Sequence, residues 1–225
     1  MNAASFQRGP VAPGEIISIF AMGYGPANSP PTAFDARGHV DTILGGTRVL
    51  FDGVAAPMIF SSNRQINAIV PYDVAGKSTT QMQIEYGNSR SNLVSVPVAA
   101  SAPGVFLANG RAIVLNQDGS LNGPQNPAAQ GSIVVLFLTG EGQTNPPGEN
   151  GKPALTVFPV PVLPVTVRIA ATAARLAYAG AAPLFTAGLM QINAEVPTGN
   201  SGTALLIVQV GQGSAPNSVI YVAPR

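Results

Sequence analysis

Two copies of one alternating heptapeptide dominate the hydrophobic pattern of this chain. Residues 65–71 read QINAIVP, and residues 191–197 read QINAEVP. Apolar and polar positions alternate and a proline ends each run, which is typical of a half-buried β-strand. The apolar positions that the copies share predict a buried face made of Ile66, Ala68, Val70, Ile192, Ala194 and Val196. Ile69 of the first copy is replaced by Glu195 in the second, so we expect these two positions to be more exposed.

Other segments show the same alternation. In residues 80–86, Met82, Ile84 and Tyr86 share one face, and glutamines and Glu85 occupy the other. Turns rich in Gly, Pro, Asn and Ser follow such segments about every 8–12 residues, which is typical of an immunoglobulin-like β-sandwich. The Cys–Trp–Cys hallmark of antibody domains is absent, because the chain has neither residue type.

The chain also repeats on a larger scale. Residues 14–25 (GEIISIFAMGYG) align with residues 131–142 (GSIVVLFLTGEG), and the alignment shifts only at Gly/Pro loops. We therefore predict an all-β fold with two tandem immunoglobulin-like β-sandwich domains, residues 1–102 and 128–225. Residues 103–127 are predicted to form a β-hairpin connector without an N-terminal counterpart, with Asp118-Gly119 in its turn. We expect it to pack between the domains through Val105, Phe106, Ile113, Val114 and Leu115.

Composition narrows the functional classes. Charged residues make up 9% of the 225 residues, and the net charge is +1. The eleven basic residues are scattered, so we expect no nucleic-acid partner. No apolar run approaches the ~18 residues of a membrane span. The low charge suits an extracellular or cell-surface protein, and no secretory leader is visible at Met1-Asn2, so we expect one to have been removed.

The sequence contains no strong signal for a catalytic or metal-binding site. His39 is the only histidine and no G-x-S-x-G motif occurs, so a solvated loop histidine is the better interpretation than a catalytic or zinc-binding one. Asn116 to Gly119 resembles part of a calcium loop, but a turn is the better interpretation. Glycine pairs 23/25 and 140/142 are interpreted as strand ends with positive φ rather than phosphate cradles. We expect no catalytic, cofactor-binding or metal-binding residues, although carboxylates distant in sequence could still meet in space.

The motifs of this chain resemble those of an uncharacterised domain family. The resemblance rests on NAASF, GPVAPGEIISIFAMGYGP, GGTRVLFDGVAAPMIFSSNRQINAIVP, SAPGVF, NQDGSLNGPQNPAAQGSIVVLFLTGEG and MQINAEVP. That family usually occurs at the C-termini of large secreted proteins of Solibacter and related acidobacteria. Each half also resembles IPT/TIG-type immunoglobulin-like domains, more loosely. The resemblance implies an extracytoplasmic β module and transfers no catalytic residue.

One candidate interaction patch comes from comparing the two halves. Gln81 and Gln83 on the outward face of the first half align with Leu205 and Ile207 in the second, and Ser95 aligns with Ile220. If they are neighbours, Leu205, Ile207 and Ile220 form an apolar patch that a partner or the connector would cover. The leading hypothesis is a non-enzymatic module that binds a protein or a glycan, or that self-associates. The alternatives are a subunit of an extracellular filament, and a carbohydrate-active hydrolase with carboxylates at the domain junction.

Overall fold

The computed structural model describes residues 1–224, and its first half is made of short strands. These are β1 Ile16–Phe20, β2 Thr47–Phe51, β3 Val54–Ala55, β4 Met58–Ser61, β5 Gln65–Ile69, β6 Thr79–Tyr86, β7 Ser89–Arg90 and β8 Val94–Pro97. A 3₁₀ turn at Tyr72–Val74 follows β5. One sheet has the order β1-β5-β4, and the other has β3-β2-β6, with β7 and β8 paired to successive parts of β6. All these strand pairs are antiparallel.

The second half repeats this arrangement. Its strands are β9 Gly104–Val105, β10 Leu107–Ala108, β11 Arg111–Ala112, β12 Val114–Leu115, β13 Ile133–Thr139, β14 Thr144–Asn145, β15 Val160–Pro161, β16 Val165–Ile169, β17 Thr172–Ala173, β18 Leu176–Ala181, β19 Met190–Glu195, β20 Gly202–Val210, β21 Gly213–Ser214 and β22 Ser218–Val222. The order β13-β19-β18 corresponds to β1-β5-β4. The order β17-β16-β20, with β21 and β22 on β20, corresponds to the other sheet. This is the strand order of an immunoglobulin-like sandwich, so the predicted all-β fold is confirmed.

Each half has its own hydrophobic core between its sheets. The first includes Ile17, Val49, Phe51, Met58, Ile66 and Ala68. The second includes Val134, Leu136, Ile169, Ile192, Leu206 and Ile220. Strand alternation produces these cores: β2 places Thr47, Val49 and Phe51 inside and the residues between them further out. The domain limits given above remain a prediction.

The segment predicted as a connector belongs largely to the second half. Strands β9 and β12 pair with β13, and Val105 and Val114 lie in the second core rather than between the halves. The prediction that Val105 and Val114 pack between the domains was therefore wrong. In the first half, Asn2 forms a single bridge to Ile17 of β1 at the corresponding sheet edge.

This segment also contains turns beyond the one predicted. Leu115 and Leu121 form a bridge around the turn with Asp118-Gly119, as expected. A second hairpin, β10–β11, turns at Asn109-Gly110, where both residues have positive φ. Asn-Gly is a strong signal for such a two-residue turn, and the sequence interpretation missed it.

The structure of the two heptapeptide strands confirms their predicted buried face and corrects part of their predicted exposed face. All six residues of the predicted buried face are fully buried. Glu195 is more exposed, as expected, and pairs with Arg175. Ile69, however, is also fully buried, so its predicted exposure was wrong. The register is right, but Ile69 pairs with Ile16 on the outer face of the first sheet, which the second half covers.

Candidate functional site

Leu205, Ile207 and Ile220 do not together form the predicted apolar patch. Leu205 is 42% exposed and Ile207 is half-buried, whereas Ile220 is fully buried in the second core. The cause is a one-residue error in the alignment. Leu205 pairs with Val219 just as Gln81 pairs with Ser95, so Val219, not Ile220, is the counterpart of Ser95. Ile220 pairs with Ala204, and both point inward.

The two halves meet at a junction held by hydrogen bonds between residues distant in sequence. The backbone N–H of Ile16 donates to Thr139 Oγ1 over 2.7 Å. The N–H of Tyr72 donates to Asn150 Oδ1 over 2.8 Å, and Asn150 Nδ2 donates to Asp73 over 2.9 Å. Asn150 therefore joins the loop after β14 to the 3₁₀ turn of the first half.

Tyr72 is the aromatic centre of this junction. Its side chain lies between two glycines, Gly14 of the first half and Gly148 of the second. A Cβ atom at Gly14 would lie 2.6 Å from the Tyr72 hydroxyl oxygen, and one at Gly148 would overlap the ring. Gly14 also has a φ of +73°. The absence of side chains at both positions allows the ring to be enclosed between the halves.

A cavity of about 380 Å³ opens beside Tyr72, between the two halves. Its wall is largely apolar and is supplied by the loop after β14: Pro146, Pro147, Pro153, Ala154, Leu155 and Pro159. Arg37, His39 and Lys152 also line it. Arg37 and Lys152 are well exposed, so they mark the open side.

Glu141 lines the same cavity and is almost completely buried. Its Oε2 atom has no hydrogen-bond partner among residues 1–224. Burial raises the pKa of Glu141 to about 7, and the backbone amides of Glu141 and Gly140 oppose this rise. The carboxyl group is therefore part protonated near neutral pH and can either donate or accept a hydrogen bond.

The glycines around Glu141 explain its position. Gly140 and Gly142 both have positive φ, and a Cβ at either would overlap a carbonyl oxygen, of Ala102 or Ala100 respectively. The chain after β13 therefore passes directly against residues 100–102. The prediction of positive φ is confirmed for Gly23, Gly140 and Gly142 but was wrong for Gly25, whose φ is not positive. The prediction also missed the buried acid between Gly140 and Gly142.

Glu15 is a second buried carboxyl group at the junction. It accepts hydrogen bonds from Asn2 Nδ2 at 3.0 Å and from the N–H of Ala12 at 2.8 Å. Burial raises the pKa of Glu15 to about 8, and Glu141 adds to the rise. The two acids are thus close enough to interact, but Glu15 lines a different cavity, of about 430 Å³, beside Asn2 and Pro103.

Most other carboxylates are near the surface beside basic side chains. Ion pairs join Asp35 to Arg37, Asp52 to Lys77, Glu85 to Arg90, Glu149 to Lys152 and Glu195 to Arg175. His39 is half-buried at the cavity, and its backbone N–H donates to Asp35. Within residues 1–224, no three His, Cys, Asp or Glu side chains are grouped closely enough to hold a metal ion. Asp118 instead accepts hydrogen bonds from Ser120 within its turn.

Comparisons with known proteins give structural matches only. No family model and no curated protein matches this chain. A mixed-linkage glucan utilization locus protein of Bacteroides ovatus, SGBP-B, solved with a mixed-linkage heptasaccharide, matches 95% of this chain at 9% identity and a TM-score of 0.36. Domains 4–9 of the surface layer protein SbsC match 96% of it at 15% identity and a TM-score of 0.28. Domains 5–6 of SbsC match 99% of it at 14% identity and a TM-score of 0.29.

These matches differ in how much of the other protein they cover. This chain spans 43% of SGBP-B, 32% of the six-domain SbsC structure and 96% of the two-domain structure. The TM-scores are low, so the ligands and assemblies of those proteins are not transferred to this chain. Among residues 1–224, no helix is long and apolar enough to cross a membrane.

Proposed function

We propose that this chain is a non-enzymatic module of a secreted or cell-surface protein, and that it binds a protein or glycan partner. The supporting observation is an exposed apolar strip in the second half. It consists of Leu155 and Leu184 on neighbouring loops and of Val157, Val160 and Val162, which follow Leu155 along the chain. All five are at least 42% exposed. Reciprocal hydrogen bonds place the two loops side by side: Leu184 N–H donates to Ala154, and Ala154 N–H to Phe185.

Such a strip is unusual for a surface that contacts only water. Single exposed aliphatic residues are common, but contiguous apolar patches mark interaction sites. The junction contributes a second property, because it fixes the two sandwiches together through buried polar contacts such as Ile16 to Thr139. A module built in this way presents one surface in a fixed orientation and needs no chemical step.

Binding to insoluble polysaccharides, a glycan array and light scattering of the pure chain test this proposal together. The double variant Leu155→Ser with Leu184→Ser should weaken the interaction at least tenfold and leave the unfolding midpoint within a few degrees. The matched control is Leu205→Ser with Ile207→Ser, which alters the remaining part of the sequence-predicted patch. If only the control weakens binding, the partner uses that patch instead. Unchanged binding in both variants would refute an apolar docking surface.

A carboxylate-dependent hydrolase is the second candidate, and one observation favours it. Glu141 lines a cavity, and burial raises its pKa to about 7, close to the value that suits a general acid. Its charge also raises the pKa of the nearby Glu15. Release of nitrophenol from aryl glycosides by the chain, abolished by Glu141→Gln, would establish this candidate. The absence of turnover under conditions where glycan binding is measured would exclude it for those substrates.

A further inference from the structure

The cavity at the junction shares Leu155 and Val157 with the exposed strip, but Tyr72 and Glu141 line the cavity only. Its volume of about 380 Å³ falls within the range of small-molecule sites, roughly 300–1,000 Å³. Such sites combine a mainly apolar wall with a few placed polar groups. Here prolines, Ala154 and the Tyr72 ring form the wall, and Glu141 is the one acidic group at depth.

The unpartnered oxygen of Glu141 is the second observation. Buried polar atoms are nearly always hydrogen-bonded, and one left unsatisfied destabilises the folded chain. Glu141 Oε2 is buried without a partner among residues 1–224, and Glu141 lines the cavity. When Glu141 is ionised, this oxygen is a hydrogen-bond acceptor without a donor.

The charges around the cavity limit which donor groups can bind to Glu141. Arg37 pairs with Asp35 at 2.8 Å and Lys152 with Glu149 at 2.5 Å, so the basic groups on the open side are largely neutralised. A carboxylate or phosphate ligand would meet Glu141 inside an apolar wall, where like charges repel strongly. A neutral or cationic donor would not meet this repulsion.

We propose that this cavity binds a compact ligand with an aliphatic or aromatic body and one hydrogen-bond donor, a hydroxyl or an ammonium group, which Glu141 receives. The apolar body would lie against the proline wall and the Tyr72 ring. This site goes beyond the proposed function, because a macromolecular partner on the exposed strip would not need the cavity. Glu141 and Ala187 line the cavity and are not part of the strip, so variants at these two residues test the cavity separately.

Three ligands of nearly equal size test the proposal on the full chain: cyclohexylmethanol, cyclohexylmethylamine and cyclohexanecarboxylate. Titrations followed by NMR or calorimetry should show that the alcohol and the amine bind at least tenfold more tightly than the carboxylate. Glu141→Gln should weaken the amine about tenfold, because it removes a charge-assisted hydrogen bond, and should change the alcohol by less than about threefold. Glu195→Gln, the same substitution outside the cavity, should change neither.

A cavity-filling variant keeps the test independent of Glu141. Ala187 lines the cavity, so Ala187→Leu should abolish binding of the alcohol and the amine, provided that denaturant unfolding shows a folded chain. Proton release also separates the two donors, because a bound ammonium should lower the pKa of Glu141 more than a bound hydroxyl does. Binding of the carboxylate as tightly as the amine, or binding that survives Ala187→Leu, would overturn the proposal. So would the absence of any binding at about 10 mM ligand.

Discussion

The backbone N–H of Ile16 donates a 2.7 Å hydrogen bond to the side-chain oxygen of Thr139, across the junction of the two halves. Thr139 is completely buried, and Ile16 is nearly so. Ile16 begins strand β1 and Thr139 ends strand β13, so the bond joins the two sandwiches through their main sheets. No water can reach this amide if the threonine hydroxyl is lost.

Thr139→Val tests how much this bond contributes. The substitution keeps the shape of the side chain but leaves the Ile16 amide unsatisfied, so the free energy of unfolding should fall by about 1–3 kcal/mol. Urea unfolding measures the change, and Thr139→Ser is the control, because it keeps the hydroxyl group. A valine variant as stable as the serine variant would show that the amide finds another acceptor.

Gly148→Ala should destabilise the junction through one steric overlap. The new Cβ atom would overlap the buried Tyr72 ring, and the φ of Gly148 itself is ordinary, so backbone strain does not contribute. We expect a loss of roughly 1–3 kcal/mol, the usual cost of overpacking. Gly123→Ala is the matched control, because nothing lies within 4 Å of its Cβ position and its φ is not positive.

A double-mutant cycle with Tyr72→Ala isolates the cause of that loss. Once the ring is removed, Gly148→Ala should lower the free energy of unfolding by less than about 0.5 kcal/mol, as a surface substitution does. Equal costs in both backgrounds would mean that the alanine is resisted by the loop around Gly148 and not by Tyr72.

The sequence predicts which residues are buried within each sandwich better than which residues are buried between the two sandwiches. Strand alternation placed Ile66 and Ile192 correctly, because the inward face of a strand follows from its own period of two. Ile69 was misplaced, because its face is covered by residues from the second half, and no local pattern contains that information. Glu141 was missed as a site for the same reason: its burial depends on residues 100–102 and on the loop that carries Gly148.

Ile220 and Leu205 give a direct test of the corrected alignment. Ile220 fills the second core with zero exposure, so Ile220→Ala should lower the free energy of unfolding by about 2–5 kcal/mol. Leu205 is 42% exposed, so Leu205→Ala should cost less than about 1 kcal/mol. Denaturant unfolding of both variants decides the matter. Similar small losses would restore the alignment in which the two residues share an outer face.

The two buried acids should make the chain less stable as the pH rises from 5 to 8. Their pKa in an unfolded chain is 4.5, whereas burial raises the folded pKa of Glu141 to about 7 and that of Glu15 to about 8. Between these limits the folded chain retains protons that the unfolded chain has released, so folding becomes weaker with increasing pH. One pKa unit corresponds to about 1.4 kcal/mol, so the loss for both groups is on the order of 5 kcal/mol. Asp52, which Lys77 holds at a pKa of about 2, affects stability only at lower pH.

Glu141→Gln separates this effect from any general influence of pH. The amide has the size of the protonated acid and never ionises, so the variant should be more stable than the parent chain at pH 8 and close to it at pH 5. Urea unfolding at pH 5, 6.5 and 8 should give a shallower decline for the variant, and Glu195→Gln should follow the parent curve because Glu195 is paired with Arg175 near the surface. A parent chain whose stability rises between pH 5 and 8, or a variant with the same slope as the parent, would show that Glu141 is already ionised in the folded chain.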